Sequence, residues 1–141
     1  MATIKFGTDG VRGRVFEELS LADAFLIGRA AADVFGGTEA VVGRDTRESG
    51  PALTAALAAG LATGGVNSLD LGVAPTPAIA FVAGQHSAVG AVVSASHNPW
   101  YDNGIKLFSP QGSKLSDADQ AAIEARLAEL DATATTFESQ D

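Results

Sequence analysis

The sequence predicts an α/β protein, folded as a three-layer α/β/α sandwich around a mixed, mostly parallel sheet. The main observation is that short apolar runs alternate with helical patterns along the chain, an order typical of parallel strands with helices on both faces. Hydrophobic residues make up 46% and charged residues 18% of the chain, a balance that argues for an ordered globular fold. A chain of 141 residues is long enough to bury a sizeable core.

The elements follow from local signals. Ser20 and Asp23 form a capping-box pattern that starts the first helix, and Gly28 inside it predicts close contact between that helix and the sheet. Leucines every four residues mark the second helix, which starts after Ser49 with a proline just inside. The predicted strands are 4–6, 39–43, 66–71, 88–94 and 104–109, and the helices are 20–36, 49–64, 76–83 and 116–131.

The last part of the chain breaks the strand–helix alternation. The connection between strands 88–94 and 104–109 is too short for a helical crossover, so the second of them is predicted to run antiparallel to the first. Residues 132–141 are mostly Thr, Ala, Ser and acidic residues without periodicity. We therefore predict a folded domain at 1–131 and a linker or truncated end at 132–141.

Composition and charge exclude several classes of protein. The formal charge of −8 disfavours nucleic acid as a partner, because phosphate backbones require clustered cations. The chain has no cysteine, which excludes disulfides and thiolate zinc sites. No run approaches the roughly 20 apolar residues of a membrane span, and the N-terminus lacks a signal-peptide core. These features predict a soluble, cytoplasmic protein without a membrane partner.

A polar cluster follows the apolar strand 88–94 and is the first candidate for chemistry. It contains Ser94, Ser96, His97 and Asn98, and ligands in open α/β sheets bind outside the carboxyl ends of the strands. Our hypothesis is that Ser96 carries a phosphoryl group. A serine hydrolase is disfavoured, because His97 is adjacent in sequence and no G-x-S-x-G elbow is present.

Phosphoryl transfer requires positioning and charge neutralisation more than covalent machinery. Arg12 and Lys106 lie in glycine-rich surroundings and are the expected sources of positive charge, whereas Arg47 reads as an ordinary surface arginine. A metal ion is expected wherever phosphate charge accumulates, yet Asp9, Asp45 and Asp102 are scattered and each fits a turn. The segment 102–104, Asp-Asn-Gly, in particular reads as turn chemistry.

Several motifs together resemble the α-D-phosphohexomutase superfamily. They are FGTDGVRG (6–13), GRDTR (43–47), APTP (74–77) and SASHNP (94–99) with DNGIK (102–106). They occur in order with matching gaps over nearly the whole chain, and the strongest likeness is to members that interconvert glucosamine 6-phosphate and glucosamine 1-phosphate on the route to peptidoglycan precursors.

The resemblance implies a role for each matching residue. Ser96 corresponds to the serine whose phosphate passes to the sugar, and that phosphate holds part of a Mg²⁺ site. Lys106 corresponds to a general acid or base, Arg12 to an arginine that approaches the phosphoserine, and His97 to a residue lining the active site. Supporting roles in the loop go to Ser94 and Asn98.

The resemblance covers only the first domain of such an enzyme. The superfamily's metal-binding aspartate loop, sugar-recognition loop and phosphate-binding loop are missing, so we expect a phosphosugar substrate and the remaining domains as partners and little activity alone. A homodimer is possible. The alternatives are a domain acting on glucose or mannose phosphates, and a non-catalytic interaction or folding module.

Overall fold

A computed structural model describes residues 5–7 and 9–138, with side chains up to residue 132. In the described chain, five strands alternate with four helices until the last pair of strands. The elements are β1 (Val11–Arg14), α1 (Leu21–Phe35), β2 (Glu39–Arg44), α2 (Gly50–Thr63), β3 (Asn67–Val73), α3 (Thr76–Gln85), β4 (Val89–Val93), β5 (Asp102–Phe108) and α4 (Asp117–Glu138).

The strands form one mixed sheet in the order β1-β5-β4-β2-β3. β2 pairs in parallel with both β3 and β4, while β5 pairs antiparallel with β4 and β1. Four strands therefore point in one direction and β5 alone runs against them. The predicted fold class and the predicted antiparallel strand are both confirmed.

The sheet is covered by helices on both faces, which makes three layers. On one face Val41 and Val92 pack with Ile79 and Ala83 of α3. The other face packs against α1 and α2, and the three leucines of α2 at 53, 57 and 61 are at most 1% exposed. Burying each such side chain contributes about 1.5–3 kcal/mol, so the leucine spacing seen in the sequence directs α2 onto the sheet.

The first strand differs from the prediction of 4–6. Ile4 lies outside the described residues, and Lys5 and Phe6 are not in a strand. The strand is instead Val11–Arg14, within the segment that reads as a glycine-rich loop. A tight turn precedes it, in which Gly7 and Gly10 exchange two backbone hydrogen bonds of 3.0 Å. The strand forms because β5 pairs with it, which local sequence does not reveal.

Gly28 also has a different role from the predicted one. It lies where α1 crosses α2, and a Cβ atom there would overlap the backbone carbonyl of Leu57. Gly60 of α2 has the reciprocal role, since its Cβ would overlap the carbonyl of Phe25. Glycine therefore allows two helices to touch through their backbones, and the contact is between helices rather than between helix and sheet.

Helix α4 packs against α1 through Ile123 and Leu127, which are buried, and through Leu130, which is partly buried. It continues to Glu138, so the aperiodic composition after residue 131 does not end the helix. The division into 1–131 and 132–141 stays a prediction. In the described part of the chain, no helix combines the length and apolar character that crossing a membrane requires.

An ion pair between Arg126 and Asp33, with 2.8 Å between Nε and Oδ2, ties α4 to α1. Burial alone would raise the pKa of Asp33, but hydrogen bonds from Arg126 and Arg29 outweigh it, so the pKa lies below its ordinary value. An aspartate with a lowered pKa stabilises the fold at pH values above its unfolded pKa. This contribution is lost as the pH falls through the folded pKa.

We expect Asp33→Asn to lower the free energy of unfolding near neutral pH. The loss should be at most about 1 kcal/mol, because both side chains are partly exposed and water screens them. Urea unfolding of the variant and wild type should differ at neutral pH and converge well below the ordinary aspartate pKa of about 3.9. If the difference in the free energy of unfolding between Asp33→Asn and the wild type grew on acidification, the stabilising role of the Asp33 carboxylate would be contradicted.

Candidate active site

The loops after the parallel strands β2 and β4 meet at one edge of the sheet. The amide of Asp45 donates to the carbonyl of Val93 at 3.1 Å, which joins the two strand ends directly. A cleft of about 230 Å³ opens there, lined by Asp9, Arg12, Thr76, Val92, Ser94, Ser96 and Lys106. The structure thus brings together Ser96, Arg12, Lys106 and Ser94, four of the predicted site residues.

Ser96 has an unusual backbone. Its φ is +55°, in the left-handed region that costs a non-glycine residue about 1–3 kcal/mol. Its amide donates to Ser94 Oγ at 3.0 Å, and its side chain is exposed at the cleft. A strained, exposed hydroxyl at a strand end is typical of a functional position.

Arg12 and Lys106 supply positive charge to the cleft from neighbouring strands. Arg12 of β1 pairs in register with Gly104 of β5. A Cβ atom at Gly104 would lie 2.8 Å from Arg12 Cγ and 2.7 Å from the Val11 carbonyl oxygen, so glycine is required for this approach. Arg12 Nε is buried without a hydrogen-bond partner among the described residues.

Neither Arg12 nor Lys106 forms an ion pair with a residue that the structure describes. Lys106 Nζ lies 5.3 Å from the centre of the Phe108 ring. Asp9 is the carboxylate that lines the same cleft. Two cations without paired carboxylates beside an exposed hydroxyl can accept a phosphate, whose charge they would offset.

The other two predicted residues lie outside this cleft. His97 is exposed and is not among the residues that line it. Asn98 shapes the loop, because its side-chain amide donates to Asp102 Oδ2 at 3.3 Å and its carbonyl accepts from Arg47 Nη2 at 2.6 Å. The catalytic role of His97 and the supporting role of Asn98 therefore stay predictions.

The reading of Arg47 as a surface arginine is wrong. Its side chain is 11% exposed and pairs with Asp45, and its Nη2 donates to the carbonyls of Ser96 and Asn98. Asp45 is likewise more than a turn residue, since its Oδ2 accepts from Ser94 Oγ at 2.7 Å. In the sequence, the Asp-x-Arg spacing directly after a buried strand could have indicated that these two residues structure the loop.

The segment 102–104 is not a turn but the start of β5. Asn103 is fully buried; its Nδ2 donates to Ser49 Oγ at 2.9 Å and its Oδ1 accepts from the Gly104 amide. Ser49 precedes α2 as predicted, but its hydroxyl does not cap that helix. Asn103, Ile105 and Leu107 are buried, but Gly104 and Phe108 on the other face of the strand are buried as well, so no alternation in burial signals Asn103.

The residues of the cleft do not by themselves suit a Mg²⁺ ion. Asp9 is the only carboxylate on the described walls, and two cationic side chains share the cleft with it. Within residues 5–7 and 9–138, no three histidine, aspartate or glutamate side chains cluster as a metal would require. Any complete site for the ion requires further ligands.

A second cleft, of about 390 Å³, is larger and more apolar. Exposed aromatic side chains line it, namely Phe16, Trp100 and Tyr101. Its serine, Ser49, accepts the hydrogen bond from Asn103. The smaller cleft is the candidate active site, because it combines an exposed hydroxyl with two cations that lack carboxylate ion-pair partners among the described residues.

The fold and this cleft define an α/β/α domain with a serine loop suited to phosphate. Residues 3–134 match the family model described as phosphoglucomutase/phosphomannomutase, alpha/beta/alpha domain I. The chain belongs to this family, as its domain I.

Relatives agree with the assignment. A phosphoglucosamine mutase of Corynebacterium jeikeium is 50% identical over 140 residues, covering 93% of this chain and 31% of the relative. One from Rubrobacter xylanophilus is 55% identical over 122 residues, covering 86% and 27%. The crystal structure of a putative phosphomannomutase from Thermus thermophilus superposes with a TM-score of 0.82 at 34% identity, covering 89% of this chain and 30% of that one. The chain thus spans less than a third of the length of these relatives.

Proposed function

We propose that this chain is domain I of a phosphoglucosamine mutase and that Ser96 is its phosphoryl carrier. The observation that carries the proposal is the placement of Ser96, an exposed hydroxyl in a left-handed turn that shares a cleft with Arg12 and Lys106. The proposed sugar is glucosamine phosphate, because relatives that are at least 50% identical are named phosphoglucosamine mutases. The 34% identical structure named for a phosphomannomutase keeps glucose or mannose phosphates as the alternative.

In this proposal the phosphate on Ser96 passes to glucosamine 6-phosphate. The sugar O1 hydroxyl attacks phosphorus, the bond to Ser96 Oγ breaks, and the product is a 1,6-bisphosphate. The bisphosphate reorients, Ser96 Oγ attacks the 6-phosphoryl group, the bond between phosphorus and O6 breaks, and O6 takes up a proton to give glucosamine 1-phosphate. Arg12 and Lys106 offset the phosphate charge. Lys106 also takes the proton from the attacking hydroxyl or returns a proton to the leaving oxygen.

The complete enzyme requires more than this chain. A Mg²⁺ ion would be held partly by the phosphate of Ser96, with its other ligands and the sugar-reading loops on further domains. We therefore expect little or no mutase turnover from the 141 residues alone. A cytoplasmic location, the other domains as partners and a possible homodimer are parts of the same proposal.

The proposal is tested by phosphoryl uptake in this chain. Incubation with glucosamine 1,6-bisphosphate should add the mass of one phosphoryl group, and fragmentation of the modified peptide should place it on Ser96. Glucose and mannose 1,6-bisphosphates serve as further donors, and uptake on Ser96 from any of the three supports the carrier role, because the sugar-reading loops lie on other domains. A chain that accepts no phosphoryl group from any of the three would support the non-catalytic module instead.

A further inference from the structure

We infer that Arg47 and Asp45 are positioning residues that hold Ser96 in its phosphoryl-accepting conformation. The inference rests on the proposed function, in which Ser96 carries the phosphate. Both residues belong to the loop after β2, which has no part in the phosphoryl transfer described above. We refer to Asp45, Arg47 and Ser94 together as the loop clamp.

The first half of the loop clamp acts through hydroxyl and carboxylate. Ser94 Oγ donates its hydrogen to Asp45 Oδ2 at 2.7 Å, which leaves its lone pairs free to accept. Ser94 Oγ in turn accepts a hydrogen bond from the backbone amide of Ser96 at 3.0 Å. Asp45 thereby orients the Ser94 hydroxyl so that it can hold the peptide group before Ser96.

The second half acts through the guanidinium group. Arg47 Nη2 donates to the carbonyl of Ser96 at 3.2 Å and to that of Asn98 at 2.6 Å. Its Nη1 pairs with the same Asp45 oxygen that holds Ser94. The contacts form a closed ring from Ser96 through Ser94, Asp45 and Arg47 back to Ser96, so both peptide groups that flank Ser96 are held.

The loop clamp opposes the intrinsic preference of the chain. Serine disfavours the left-handed conformation that Ser96 adopts, and the side chains of Ser96 and His97 are exposed, so packing of these two side chains does not enforce it. Arg47 differs from Arg12, because Asp45 balances its charge. Its Nη2 donates to two backbone carbonyls and its Nη1 to Asp45, and Arg47 is not among the residues that line the cleft, so it acts through Ser96 and not on the phosphate.

Two pairs of variants test the loop clamp in this chain. Ser94→Ala and Arg47→Ala each break the ring, whereas Ser94→Thr keeps the hydroxyl and Arg47→Lys keeps only the charge. Amide hydrogen exchange at Ser96, measured by NMR, should be roughly tenfold faster in Ser94→Ala and unchanged in Ser94→Thr. Phosphoryl uptake should slow by about 100-fold in both alanine variants, recover in Ser94→Thr and not recover in Arg47→Lys, which cannot reach both carbonyls.

Arg126→Ala serves as the matched control, because it removes a hydrogen-bonded arginine from α4 and should leave exchange at Ser96 and phosphoryl uptake unchanged. Unchanged Ser96 exchange in Ser94→Ala, or full uptake by Arg47→Lys, would overturn the inference. If even the wild type accepts no phosphoryl group, the proposed function fails, and the exchange measurement alone still decides whether the ring holds Ser96.

Discussion

Replacement of Ser96 by alanine is expected to abolish phosphoryl uptake by this chain and to leave its fold intact. Uptake requires an oxygen nucleophile at that position, and alanine removes the oxygen. The side chain is exposed, and both backbone contacts of residue 96, to Ser94 Oγ and from Arg47, remain possible. Alanine disfavours the left-handed backbone as serine does, so little stability should be lost.

Intact-mass measurement after incubation with glucosamine 1,6-bisphosphate checks this result, and thermal unfolding checks the fold. Ser113→Ala is the matched control, because Ser113 is also exposed and its hydrogen bonds are made by the backbone. The control should take up one phosphoryl group at the wild-type rate. Undiminished uptake by Ser96→Ala would show that another residue is the acceptor and would remove the basis of the proposed function.

Replacement of Gly60 by alanine is expected to cause the largest loss of stability. Alanine gains about 1 kcal/mol in helix propensity over glycine, which by itself would stabilise α2. The added Cβ, however, would overlap the backbone carbonyl of Phe25 in α1, and no rotamer change can relieve a clash with backbone. Overpacking typically costs about 1–3 kcal/mol, and a clash with backbone lies at the upper end of this range. After the gain in helix propensity of about 1 kcal/mol, we expect a net loss of about 2 kcal/mol.

Gly50→Ala is the matched control in the same helix. Its Cβ would approach the flexible side chain of Arg44, at 3.1 Å from Cδ, and the ring of Pro51, which disfavours a helical residue with a Cβ before it. Neither contact is a clash between two helix backbones, so the free energy of unfolding should fall less than in Gly60→Ala. Urea unfolding of both variants measures the difference. If Gly60→Ala proved as stable as Gly50→Ala, the backbone contact between α1 and α2 would not be the constraint that we describe.

Local patterns sufficed wherever an element is defined by its own residues. The capping box at Ser20 is present with both reciprocal hydrogen bonds, and the leucines of α2 are buried at the predicted spacing. The short connection after β4 correctly predicted that β5 runs antiparallel. Ser96, Arg12 and Lys106 were identified as candidates from their positions, and they line one cleft.

Patterns failed wherever a residue is defined by a partner distant in sequence. Val11–Arg14 is a strand because β5 pairs with it across about ninety residues. Gly28 matters because α2 crosses there, and the side chain of buried Asn103 donates to Ser49, which is 54 residues away. Arg47 resembled any surface arginine because its acceptors, the carbonyls of Ser96 and Asn98, lie about fifty residues away.

The sequence by itself determined the α/β class, the helices, most of the strands and the hydroxyl and cations of the candidate site, because those depend on periodicity, capping and the types of residue at strand ends. Only the tertiary structure decided how the site is held. The left-handed backbone of Ser96 and the ring through Ser94, Asp45 and Arg47 exist because parallel strands bring two separate loops to one edge. A hydrogen bond between those loops depends on that geometry, and no local pattern encodes it.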